Sequence, residues 1–76
     1  MNRKQKENPL EILGSNIRRL RHSKNLSQEE FAHQAKIDRS YVGQIERGER
    51  NLSFKNLLRI ATALEVTASE LVEGIE

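Results

Sequence analysis

The chain contains no cysteine, so it can hold neither a disulfide staple nor a thiolate metal site. Nothing in it asks for an oxidising compartment, and a cytoplasmic protein is expected. No run of apolar residues exceeds three, whereas a membrane-crossing helix needs roughly 20 and a signal-peptide core roughly 7 to 15. The expectation is a protein that neither spans a membrane nor is exported. Strand patterning is also scarce, because stretches that alternate apolar and polar residues are short and none is rich in β-branched or aromatic side chains. There is no internal repeat and no low-complexity tract. No residue set resembles a catalytic centre, and 76 residues leave little volume for a substrate pocket. An enzyme is not expected. His22 and His33 belong to no recognisable metal motif, so neither a metal nor a cofactor is expected.

What remains is 36% apolar residues, enough for one compact helical core and no second lobe. The net charge of +2 hides an asymmetry. Residues 1–60 hold all 13 Lys and Arg against 7 acids, a net +6, while residues 61–76 hold 4 acids and no base, a net −4. Such a split suits either a basic surface for a polyanion or plain solvated charge.

Helical periodicity covers almost the whole chain and predicts an all-α fold. Asn8, Pro9 and Glu11 read as the opening of a first helix whose stripe is Leu10, Leu13, Ile17 and Leu20, ending near Lys24. Asn25 falls where a left-handed residue is needed. Ser27 and Glu30 form a capping box for a short second helix bearing Phe31, Ala32 and Ala35. Asp38 caps a third with Tyr41, Val42 and Ile45, and Gly48 ends it. Ser53 caps a fourth, which offers Leu57, Leu58, Ile60, Ala61 and Leu64 to the core. Thr67 and Glu70 box a brief fifth over about residues 68–73. Residues 1–7 read as a flexible basic tail and residues 8–76 as a single domain.

Only Lys36 to Asp38 separate the second and third helices, so the two must meet steeply, in helix-turn-helix geometry. On a helical wheel the third helix turns Tyr41, Val42 and Ile45 inward. Arg39, Ser40, Gly43, Gln44 and Arg47 lie on the opposite flank. Arg pairs bidentately with guanine, Gln with adenine, and Ser bonds either, so this set suits base edges; an exposed helix face is also polar for no other reason than water. A mid-helix glycine costs roughly 0.8 to 1 kcal/mol relative to alanine, and close approach of DNA to the backbone would explain Gly43.

With these residues in place, residues 10–74 resemble the phage-repressor/Cro-type (XRE-type) helix-turn-helix family. The resemblance is carried by Ile17, Arg18, Leu20 and Arg21, by Leu26-Ser27-Gln28-Glu29-Glu30-Phe31-Ala32, by Ser40-Tyr41-Val42, by Gln44-Ile45-Glu46-Arg47-Gly48, and by Leu57, Ala61 and Leu64. It implies five helices and a DNA-binding transcriptional regulator. It further implies that Gln28 binds a phosphate, that Arg39, Ser40 and Gln44 face bases, and that Arg50, Asn51 and Lys55 hold the sugar-phosphate backbone. The Arg-Ser-Tyr start and Glu-Arg-Gly exit of the third helix look most like restriction-modification controller proteins. Phage and plasmid repressors share these features, and antitoxins use the same fold to bind protein partners. Lys36 and Glu65 stand where the family usually has glycine after a helix.

The same resemblance implies a salt bridge from Arg21 on the first helix to Glu46 on the third, partly buried because each residue borders an apolar stripe. Tyr41 is read as core at its ring, with its hydroxyl beside either the DNA backbone or a flexible base step. Arg3, Lys4 and Lys6 either track phosphates or the minor groove or stay solvated. Leu71, Val72 and Ile75 either pack on their own core or meet a second copy. A homodimer is the favoured expectation, since one recognition helix reads only a few base pairs and a two-fold dimer reads a palindromic operator in double-stranded DNA. Bound near a promoter, such a dimer excludes RNA polymerase or recruits it.

Overall fold

A computed structural model describes residues 8–76. The tail expected at residues 1–7, with Arg3, Lys4 and Lys6, lies outside the described residues. The described chain forms helices α1 (Pro9–Ser23), α2 (Gln28–Ala35), α3 (Arg39–Glu46), α4 (Phe54–Leu64) and α5 (Ala68–Leu71), with no strand among the described residues.

Side chains close four of the five helix starts, satisfying backbone N–H groups that have no intrahelical acceptor. The Asn8 carboxamide oxygen accepts from the Leu10 N–H at 2.8 Å. Ser27 and Glu30, like Thr67 and Glu70, form reciprocal capping boxes, and the Ser53 hydroxyl accepts from the Asn56 N–H at 3.1 Å. Asp38 is the exception. It holds the cap position of α3 with extended backbone, but its carboxylate makes no capping bond, so only its charge favours the helix start.

The first four helices end alike. Asn25, Lys36 and Glu65 adopt φ of 59°, 60° and 60°, and Gly48 adopts 77°. After each, the next N–H reaches back five residues: Leu26 to Arg21, Ile37 to Ala32, Glu49 to Gln44 and Val66 to Ala61. This is the Schellman closure, and it reverses the chain within two residues. The fifth helix is shorter than its periodicity suggests. The Asn16 side-chain amide donates to the carbonyls of Leu71 and Glu73 at 2.8 and 2.9 Å, which draws the C-terminal turn onto α1 instead of letting it extend.

Ile17, Phe31, Val42, Ile60, Leu64 and Leu71 are the largest fully buried side chains. They draw one residue or more from every helix into one core, in which α3 packs against α1 and α2, α2 against α4, and α5 against α4 and α1. Leu58, expected in the core, is instead 42% exposed. Leu57, Ile60, Ala61 and Leu64 already fill the inner side of α4, and Leu58 falls at its edge.

Candidate nucleic-acid interface

The orientation of α3 is set from beneath. Gly14, in the middle of α1, lets the two helices touch backbone to backbone: a Cβ there would meet the Ile45 carbonyl oxygen and lie 2.7 Å from that of Glu46. Beside this contact, Arg21 Nε donates to Glu46 Oε2 at 2.6 Å and Nη2 donates to Oε1 at 3.0 Å. Arg21 Nη1 donates to the Leu26 carbonyl at 2.8 Å, and the Gln28 amide donates to Glu46 Oε1 at 3.1 Å. The pair is therefore buried outright, not partly, with 7% of Arg21 and 5% of Glu46 exposed. Burial pushes the Glu46 carboxyl up. Hydrogen bonds from Arg21 and Gln28, with the charges of Arg21 and Arg18, outweigh that and hold it below the ordinary carboxylate value. One network thus ties α1, the turn after it, the start of α2 and the end of α3.

The outer flank of α3 carries a different set. Arg39 and Ser40 are exposed at its start. Gln44, a turn later, is half-buried, and its side-chain oxygen accepts from Arg50 Nη1 at 2.9 Å. The Arg50 guanidinium lies over the Tyr41 ring, 4.7 Å from its centroid, a cation–π contact. The Tyr41 hydroxyl accepts from the Asn56 amide at 3.4 Å. Ser40, Tyr41, Gln44 and Arg50, with Asp38 and Asn56, line one shallow concavity. Arg47, exposed at the C-terminal end, is gripped by Glu49: Nε donates to one carboxylate oxygen at 3.0 Å and Nη2 to the other at 3.1 Å.

Gly43 departs from its expected place. It is buried beneath side chains: Arg47 Nη1, from the end of its own helix, and the Gln28 side-chain oxygen of α2 cover it, at 3.2 and 4.0 Å from where a Cβ would sit. It is a floor beneath two polar side chains, not open backbone. Gln28 is half-buried and already bonded to Glu46, while Asn51 and Lys55 are exposed. Lys55 faces a cleft between α2 and α4 shared with Lys36 and Arg59. Leu71 is corrected: it is 0% exposed and fills the core, so it has no surface for a second copy. Ile75 is half-buried against the same core, and Val72 is 37% exposed. Helical spacing does not bring forward Asn16, Glu49 and Asn56, because each meets its partner across a turn or a long stretch of chain.

A solvent-facing recognition flank on the second of two steeply joined helices defines a helix-turn-helix protein, and the helix-turn-helix family matches residues 17–71. The chain belongs to this family. Within it, the chain groups with the restriction-modification controller proteins. It is 47% identical over 64 residues to control protein C.MunI of a Mycoplasma species, spanning 83% of this chain and 86% of that one. The crystal structure of the controller protein C.AhdI from Aeromonas hydrophila superposes with a TM-score of 0.80 at 50% identity, covering 82% of this chain and 94% of that one. The controller protein C.Esp1396I, solved as a tetramer in complex with its natural 35 base-pair operator, superposes with a TM-score of 0.79 at 34% identity, covering 90% of each chain.

Proposed function

We propose that the protein is a sequence-specific transcriptional regulator of the controller type, binding a palindromic operator as a homodimer. The observation that carries this reading is the division of α3. Its apolar flank is consumed by the core, and the other flank presents Arg39, Ser40, Gln44 and Arg47 at or near solvent. Arg39 and Ser40 at the helix start reach base edges first; Gln44 and Arg47 follow one and two turns on. Arg50, Asn51 and Lys55, with Gln28 at the start of α2, neutralise or hydrogen-bond the flanking phosphates, and Tyr41 supports Arg50 from below. Val72 and the exposed edge of Ile75 are the apolar groups that the C-terminal turn offers to a second copy. The acids at this end keep it off the DNA. Excluding or recruiting RNA polymerase then follows from where the operator lies.

The test is equilibrium binding to a duplex selected from random sequence, repeated across salt. Log affinity should fall by roughly 0.9 per neutralised phosphate for each log unit of salt, with two chains bound per palindrome. Arg39→Ala should cost about 1–3 kcal/mol and relax preference at one base position per half-site. Salt-independent binding, or an Arg39→Ala protein that selects the same site at full strength, would overturn the assignment.

A further inference from the structure

We propose that Glu49 is a specificity-determining residue that acts through Arg47, holding its guanidinium for end-on recognition of a guanine. This rests on α3 being the recognition helix. Gly48 turns the chain with φ of 77°, and the Glu49 N–H bonds the Gln44 carbonyl at 2.9 Å, which pins the backbone beside the last turn of α3. From that anchored point the carboxylate takes Nε and one Nη2 proton of Arg47 in a two-pronged grip, at 3.0 and 3.1 Å.

A guanidinium has five N–H donors in one plane. With two engaged by Glu49, two of the remaining three point out from the Nη1–Nη2 edge, which is the edge that matches N7 and O6 of guanine. The underside of the group is defined as well, because Nη1 rests over Gly43, 3.2 Å from the place a Cβ would take. Arg47 and Glu49 side chains remain 55% and 54% exposed, so the free edge is open to a ligand.

Stability does not account for this arrangement, since a pair so exposed adds little. General affinity does not either, because a carboxylate near the groove repels phosphate and occupies a cation that would otherwise bind one. Orientation does: an arginine held on one side and floored from below loses its freedom to swing to the backbone and spends its remaining donors on a base. The mutual hydrogen bonds raise the pKa of Arg47 and lower that of Glu49, so both stay charged at neutral pH.

The experiment compares wild type, Glu49→Gln, Arg47→Lys and the double variant on the selected duplex, on its base variants and on an unrelated duplex. Glu49→Gln should tighten binding to the unrelated duplex, steepen the salt dependence by about one phosphate contact, and weaken the guanine preference at one position about tenfold. Arg47→Lys should remove the preference at that same position, and adding Glu49→Gln to it should leave the base preferences as they are in Arg47→Lys. A Glu49→Gln protein that keeps the full preference, or a double variant whose base preferences differ from those of Arg47→Lys alone, overturns the proposal. A selected site with no position sensitive to Arg47 does so too. Failure of the wild type to bind any duplex instead sinks the recognition-helix reading and this proposal together.

Discussion

Two mid-helix glycines look alike in the sequence and should respond oppositely to alanine. At Gly14 the added methyl meets backbone of α3, with the Glu46 carbonyl oxygen 2.7 Å away, and backbone cannot step aside. Gly14→Ala should lose at least about 1–3 kcal/mol through overpacking. At Gly43 the nearest atom is the far end of Arg47, which can shift. Gly43→Ala should therefore gain about 0.5–1 kcal/mol of helix propensity, or roughly 4–8 °C per kcal/mol in a domain of this size. Thermal melting followed by circular dichroism separates the two, and a common sign would refute the account. The sequence singles out Gly43 as unusual, but only the neighbours distinguish a backbone contact at one glycine from a side-chain cover at the other.

The helices are bounded by local chemistry, and two of their ends are strained. Lys36 and Glu65 each sit at φ of 60°, where a Cβ is crowded. Lys36→Gly should raise stability by about 0.5–1 kcal/mol in denaturant titration. Glu65→Gly should gain less, since it also gives up the exposed ion pair with Lys24 at 3.2 Å. Neither change touches the outer flank of α3, so the base preference should not move. The family resemblance marked these ends, since glycine usually stands there, and the closure itself acts over at most five residues. The length of α5 was not legible in this way, since the carbonyls that finish it are taken by Asn16, 55 residues earlier.

For the whole molecule, the buried Arg21–Glu46 pair couples stability to pH. The folded state holds Glu46 below its ordinary value, so its contribution is complete above the unfolded carboxylate range and is lost as pH falls through the lower, folded value. Melting temperature should therefore drop on acidification below about pH 4.3, and the drop should be shallower in Glu46→Ala. At neutral pH that variant should be destabilised by about 3–5 kcal/mol, because it strands a buried guanidinium. A Glu46→Ala protein with unchanged melting and the same acid limb would show that the network does not hold α3. Of the site around it, sequence and family resemblance together indicated the Arg21–Glu46 pair and the flank from Arg39 to Arg47, but not the grip of Glu49 on Arg47, which forms across a turn outside any helical period.

The order of residues by itself determined five helices, the side-chain caps of four of them, the left-handed turn at Asn25 and the inner stripe of α3, because each depends on neighbours within a turn or two along the chain. Packing decided the rest. Leu71 is interior and Leu58 open, Gly14 is a contact point and Gly43 a floor, and Asn16 reaches α5, according to which surfaces meet when distant segments close on one core. A helical period ranks the sides of a helix by polarity, but it carries no information about what stands opposite them. That is settled only when burial of apolar area chooses one arrangement of the five helices.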